Sequence, residues 1–355
     1  MITIYVVDVQ SKENHTMAGN QVKWLLLMLV FVSSLIAVSS ERKAISASRT
    51  IKELNRNGPY LGLITVFAPE EDAFFATGAF KPNPKHPYVD LSGRRFRVGS
   101  IGGSKVIYVR CGEGMVNAAA ATQQMLDVFR MIGIVHFGIA GNANNSMSIG
   151  DVIIPKQFAQ TGLWDWVKFK ATIPTNDVAE LDFGSYDVPN GGDNELGSIG
   201  YSTEFFYSKS GKPNAPERTL WFQTSQNWLE VSSSLEGIAL EQCVNSSLCL
   251  PEKPKVVVGL NGATANIFVD NAAYREFLYT TFHVSSLDME SAAVVMTCLS
   301  NGFKVIVIRG LSDLAGAEDG DNTIRLFGPL AASNVAKAVV QFVKTLRGFH
   351  FQLSI

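Results

Sequence analysis

The chain has 355 residues, 46% of them hydrophobic and 17% charged, enough apolar side chains for one large α/β core and too little polarity for a chain dominated by low-complexity disorder. The formal net charge is -2, and no Lys/Arg run exceeds two residues, so nothing electrostatic favours a nucleic-acid partner. One catalytic domain is the default expectation.

Trp24 to Val38, WLLLMLVFVSSLIAV, is an apolar run of 15 residues with Lys23 before it and Ser39-Ser40 after it. A spanning helix needs roughly 20 residues, so the run reads as a signal peptide over 1–40 rather than a membrane anchor, with an uncleaved signal anchor as the rival. Met17 is an alternative start that leaves the first 16 residues as an upstream extension. A polar leader follows over 41–58, then a catalytic domain over 59–350. No later stretch resembles a transmembrane helix, so no stable membrane insertion is expected after signal cleavage. An oxidising route makes a local disulfide between Cys243 and Cys249, in CVNSSLC, sterically reasonable. Cys111 and Cys298 lie in apolar contexts and read as buried, inert thiols. No Cys/His spacing suggests a metal site. Asn144 and Asn245 both begin glycosylation sequons, and the surroundings of Asn245 read better as a surface loop.

In chain order, YLGLITVF (Tyr60 to Phe67) is an apolar strand buried on both faces. Pro69 then opens a helix whose first turn carries Glu70, Glu71 and Asp72, which complement its positive end. A Pro-rich loop and a hairpin lead to the strand KVIYVRC. Gly112-Glu113-Gly114 permits a tight turn into a long alanine-rich helix. The next strand, Ile134 to Phe137, is read as ending in a small-residue turn, Gly138 to Gly141, where backbone can approach a ligand. The pattern degrades over about 161–254, which reads as an insertion containing a hairpin followed by a helix over Trp221 to Leu240. Strand–helix rhythm returns with KPKVVVGLNGATANIFVD, a helix from near Asp270, and a closing amphipathic helix over Ala331 to Gly348.

Between these last helices lies Leu287 to Gly316, LDMESAAVVMTCLSNGFKVIVIRGLSDLAG. Asp288 is a helix N-cap candidate, Asn301-Gly302 breaks the helix, and a β-branched strand runs on to Ser312-Asp313. Glu290 falls in the first helical turn and Asp313 just past the strand's C-terminal end, where open α/β sheets keep their sites. Two carboxylates at the two ends of one helix–strand unit suit acid/base work. They suit a dipole complement and a turn cap equally well.

The set GIAGNAN…IGDVIIP, ATANIFV, LDMESAA and VIRGLSDLAG, in that order, resembles the purine nucleoside phosphorylase/uridine phosphorylase superfamily, including methylthioadenosine/adenosylhomocysteine nucleosidases. TGLWDWVKF and the leader look most similar to plant bark and vegetative storage proteins, a branch that includes cytokinin-riboside phosphorylases. The resemblance implies a three-layer αβα sandwich around a mixed, partly barrel-like sheet, with no cofactor. It implies a nucleoside substrate, inorganic phosphate as co-substrate, a homo-oligomer, and an extracellular or vacuolar location. The reaction it implies is phosphorolysis of purine-type ribonucleosides. Hydrolysis by water, a nitrogen-storage role and a non-catalytic nucleoside binder are the alternatives.

Residue by residue, the resemblance assigns Glu290 to the ribose hydroxyls, Met289 to the sugar, and Asp313 with Ser312 to protonation of the leaving base. Phe268 would stack on the base, with Val269, Ile139, Ala140 and Gly141 around it. Glu71 or Asp72 matches the carboxylate that activates water in the nucleosidases, and the choice between them stays open. Phosphate would call on Gly112, Gly138 and His136, the last charged in an acidic compartment, with Arg94, Arg95 or Arg97 reaching a neighbouring subunit.

Overall fold

In the computed structural model the described residues are 28, 47–168, 171–183, 196–316 and 322–352. Apart from Met28, the apolar run 24–38 lies outside them, and so does the Gly320-Asp321 stretch before the last helix. The chain divides into two units at Leu54/Asn55, and everything below concerns the second.

Strand β1 (Tyr60–Thr65) is buried at every position, as an unbroken apolar run requires. It feeds helix α1 (Ala68–Ala76), which has Pro69 in its first turn. Strand β2 (Ser104–Arg110), helix α2 (Met115–Val128) and strand β3 (Met131–Asn142) follow. β3 does not stop at Phe137. It runs on through Gly138-Ile139-Ala140-Gly141 as extended backbone, because Lys304–Leu314, strand β6, pairs with it in parallel along almost its whole length. The small residues expected to form a turn are strand residues there.

Strand β4 (Asn261–Thr264), helix α3 (Ala272–Phe282), strand β5 (Ser286–Asp288) and helix α4 (Ser291–Asn301) supply the second half of the site. Gly302, in the left-handed region at φ 75°, ends α4, as the Asn-Gly break predicts. β6 leads towards the long helix α5 (Ile324–Gln352), which begins earlier than expected and carries Pro329 inside it. One window of α5 is apolar enough to cross a membrane, yet it is 67% buried in the protein, and Val335, Val339, Phe342 and Val343 are core residues.

The strands form one large mixed sheet of 13 strands, in which β4, β5, β3, β1 and β2 are consecutive neighbours and β6 pairs with β3; among the described residues it does not close into a barrel. β1 and β6 flank β3, both parallel to it, while β5 meets the far end of β3 antiparallel, Leu287 opposite Gly141. α1 packs with α5, and α2 with α4, as two helix layers over a sheet whose central strands are buried on both faces. Over 161–254 the described residues form an antiparallel sheet from Trp164–Val167, Asp177–Asp182 and Ser198–Ser202 and then a hairpin. Trp221–Gln223, expected to start a helix, is instead a strand that pairs with Gln157–Gln160 in the main sheet, the helix is confined to Gln226–Ser232, and a second hairpin follows. The second hairpin closes the disulfide Cys243–Cys249.

Candidate active site

The C-terminal ends of β1 and β3, the end of β6, and the β5–α4 junction surround a cavity of about 220 Å³ lined mainly by apolar atoms. Ile139, Ala140, Gly141, Phe268, Val269, Met289, Glu290, Ser312 and Asp313 all line it. Ile139 to Gly141 meet Ser312 and Asp313 because β3 and β6 pair side by side, with Gly141 opposite Asp313 after a break in register at Ser312.

The third acid of the cavity is Glu70, not Glu71 or Asp72. Pro69 starts α1 so that Glu70 turns inward, and its carboxylate accepts the Val66 amide at 2.7 Å on one oxygen and the Ile139 amide at 2.8 Å on the other. Glu71 faces the opposite way, between Arg97 at 3.2 Å and Arg110 at 3.0 Å, and Asp72 is exposed. Burial pushes the Glu70 carboxyl up to about 7, against the lowering pull of Arg309 and the two amides.

Arg309, in β6, is fully buried beneath these carboxylates. Its Nε donates to Asp288 Oδ2 at 3.1 Å, Nη1 to the Ile139 carbonyl at 3.3 Å, and Nη2 to Ser291 Oγ at 2.9 Å and His136 Nε2 at 2.6 Å. Glu290 Oε2 lies 3.5 Å from the same Nη2. Burial opposes the charge on Asp288, but Arg309 and its bonds from Ser291 and Thr264 hold it below the ordinary carboxylate range. Asp288 also accepts the Glu290 and Ser291 amides at 3.1 and 2.9 Å. It thus caps α4 from two residues before Glu290, which occupies the N-cap position itself instead of the first turn. Burial raises Glu290, partly offset by Arg309. The Gly114 amide donates to Glu290 Oε1 at 2.9 Å, a bond that the positive φ of 88° at Gly114 makes available.

Asp313 is raised by burial and restrained by Ser312 Oγ, which donates at 2.6 Å, and Asn322 Nδ2, which donates at 3.1 Å. It lies within β6 rather than beyond its end. Phe268 stands at the cavity mouth, 57% exposed, free to meet a planar ligand.

The residues expected to hold phosphate lie elsewhere or are occupied. His136 is fully buried under the site, and burial together with Arg309 pushes it down to about 3, so it is uncharged even in an acidic compartment. Its Nδ1 bonds the Ile64 carbonyl at 3.1 Å, which makes Nε2 the acceptor for Arg309. The Gly112 amide donates to Val66 O at 3.0 Å. Gly138 makes room for Glu70, since a Cβ there would collide with Oε1 of that residue and with Arg309. Arg94 bonds the Cys111 carbonyl, Arg95 pairs with Asp90, and Arg97 pairs with Glu71. Asn144 is buried, its amide nitrogen on Ser285 and its oxygen on Ser146, so it offers no glycan acceptor, whereas Asn245 is exposed in the disulfide hairpin. Cys111 and Cys298 are buried free thiols, both pushed up by burial. No cluster of His, Cys, Asp or Glu suited to a metal ion occurs among the described residues.

Sequence reasoning passed over Glu70, Arg309 and Asn322. A lone arginine inside KVIVIRG was a usable signal, because a charge in a strand buried on both faces demands partners. For Glu70 the signal was weaker: the acid four residues beyond Val66 is the one that reaches back to the strand-end amide.

The model of the phosphorylase superfamily matches residues 61–344. Bark storage protein A of Populus deltoides is 33% identical over 288 residues, covering 81% of this chain and 88% of the relative. A 5'-methylthioadenosine/S-adenosylhomocysteine nucleosidase of Listeria welshimeri is 26% identical, covering 73% and 91%. Among solved structures, the corresponding nucleosidase of Colwellia psychrerythraea in complex with adenine matches with a TM-score of 0.56 at 21% identity, covering 81% of this chain and 95% of that one. The nucleosidase from S. pneumoniae with a transition-state inhibitor matches with a TM-score of 0.56 at 19% identity, covering 81% and 100%; both structures share the fold. By its sequence match over four-fifths of its length, the chain belongs to the phosphorylase superfamily, whose members include nucleosidases and nucleoside phosphorylases.

Proposed function

We propose that this protein hydrolyses the N-glycosidic bond of purine-type ribonucleosides, with water rather than phosphate as the acceptor. The observation that carries the choice is Glu70. A phosphate dianion needs free amides and free guanidinium donors, and here the Val66 and Ile139 amides are spent on a carboxylate while Arg309 is spent on Asp288, Ser291, His136 and the Ile139 carbonyl. Phosphate would also meet Glu70, Glu290 and Asp288 against a single buried cation.

The same groups suit water. Glu70, held near 7, is matched to take a proton from water at neutral pH. As the oxygen bonds to the anomeric carbon, the bond to the base breaks, and its electron pair leaves with the base. Asp313 donates the proton that keeps the departing purine neutral, and Glu290 binds the ribose hydroxyls and balances the positive charge that grows on the sugar. Phe268 stacks on the base. A second apolar hollow of about 430 Å³, lined by Trp164, Ile199, Tyr201, Ile267 and Tyr274, adjoins the base end through Ile267. It supports bases with an apolar exocyclic substituent, such as cytokinin ribosides. The disulfide Cys243–Cys249 supports a secretory, extracellular or vacuolar setting.

The Populus relatives favour a second reading, nitrogen storage with residual or no activity. One assay separates the readings: adenosine, inosine, uridine and isopentenyladenosine, each with and without phosphate. Free ribose released without phosphate is the expected result. Phosphate-dependent release of ribose 1-phosphate would replace hydrolysis with phosphorolysis, and no release from any nucleoside would leave storage.

A further inference from the structure

Asn322 stands immediately before α5, half-buried beside the cavity. Its Oδ1 accepts the Ile324 amide at 2.9 Å, which fixes the orientation of the side-chain amide and turns Nδ2 toward two carboxylates. Nδ2 donates to Asp270 Oδ1 at 3.0 Å and to Asp313 Oδ2 at 3.1 Å. The other oxygen of Asp313 already accepts from Ser312 Oγ. Asn322 thus fixes Asp313 Oδ2 as an acceptor, which favours the ionised carboxylate over the acid that a leaving base requires, while Oδ1 shares the single hydroxyl proton of Ser312 with the Ala140 carbonyl, 3.2 Å from that hydroxyl.

We propose that Asn322 is a positioning residue for the acid: it holds Asp313 Oδ2 and yields that oxygen to the proton and the base when substrate binds, keeping its second N–H on Asp270. The inference rests on the reading of Asp313 as the proton donor. The charged groups around Asp313 are Asp270, ahead of α3, and Arg275, on α3 and bonded to the Ala315 carbonyl. Glu70 and Glu290, with Arg309 behind them, face it across the cavity. Asn322 thus separates Asp313 from the nearby Asp270. Without its donor, the ionised form of Asp313 loses a hydrogen bond and faces Asp270 unshielded, so the proton stays on to higher pH.

The test compares wild type, Asn322→Ala and Asn322→Asp. The aspartate keeps an oxygen for the Ile324 amide, so the start of α5 stays capped while the donor is replaced by a charge. Two readouts are taken: the pH profile of kcat/KM, and the titration of the Asp313 carboxyl followed by carbon-13 NMR, assigned by its disappearance in Asp313→Asn. In Asn322→Ala the alkaline limb of the profile and the carboxyl titration should both move up by about one pH unit, the worth of one hydrogen bond to a charged group, and further in Asn322→Asp. An Asp313 titration that coincides with wild type in both variants overturns the proposal, even if rates fall equally at every pH as loss of a helix cap would produce. The NMR readout needs no turnover, so a chain that cleaves no nucleoside refutes the proposed reaction without deciding the role of Asn322.

Discussion

Glu70 Oε1 accepts the backbone N–H of Ile139 at 2.8 Å, joining the first turn of α1 to the middle of β3 across 69 positions of sequence. The bond fixes the carboxylate at the cavity floor and spends an amide that a bound anion would otherwise use. Glu70→Gln should therefore lower the rate of base release by about 10²- to 10⁴-fold, the range for removing a positioned general base. Steady-state kinetics with the best nucleoside, beside Glu71→Gln and Asp72→Asn controls, checks this. Controls that fall as far as Glu70→Gln would return the role to the residues expected from sequence.

The pH dependence follows from the same carboxyl. Burial pushes Glu70 up to about 7, and only its ionised form accepts a proton from water. The acid limb of kcat/KM should accordingly bend near neutrality and fall about tenfold per pH unit below it. An acid limb that is unchanged in Glu70→Gln would mean that water is activated without Glu70.

Stability should carry a different pH signature, from His136. The ring is buried uncharged and pushed down to about 3, whereas an unfolded histidine titrates near 6.5. The unfolded chain binds a proton that the folded chain refuses, so this stabilisation is fully present above about pH 6.5 and is lost as pH falls toward 3. Glu70 acts in the opposite sense, because its folded value is raised. Its contribution is largest at acid pH, is lost as pH rises through 7, and is common to wild type and to His136→Asn. Denaturant unfolding of both proteins at pH 7 and pH 5 isolates the histidine. Wild type should lose about 2 kcal/mol more than His136→Asn over that interval.

What could be read from sequence depended on whether a residue acts through its own strand or through a neighbour. β1, α4 and β6 were legible because their apolar runs and the Asn301-Gly302 break are local signals. Glu290 and Asp313, singled out in the sequence as two carboxylates on one helix–strand unit, line the same cavity. Gly138 to Gly141 misled: small residues suggest a turn, and only the pairing of β6 along β3 keeps them extended. Among three consecutive acids, Glu70 is singled out by reaching the amides of Val66 and Ile139, and the second partner lies in a strand that local pattern cannot bring near. His136 was expected to be a charged ligand for phosphate, but Arg309 packs against it, and one buried cation leaves no place for a second.

Gly138 offers the sharpest separation of packing from catalysis. Its backbone is not in the left-handed region, so alanine meets no conformational penalty there. Its Cβ, however, would intrude on Glu70 Oε1 and Arg309 Nη1. The carboxylate must then shift away from the Ile139 amide or the guanidinium must give up a partner, in a buried cluster where neither has a substitute. Gly138→Ala should cost about 1 to 3 kcal/mol of stability, the range for overpacking a well-filled site, and should lower turnover at least tenfold. Gly237→Ala, with nothing within 4 Å of the new methyl, is the matched control and should leave turnover unchanged. Thermal unfolding and base-release assays on both variants check the pair, and a Gly138→Ala enzyme with wild-type kinetics would mean that Glu70 does not need its place beneath β3.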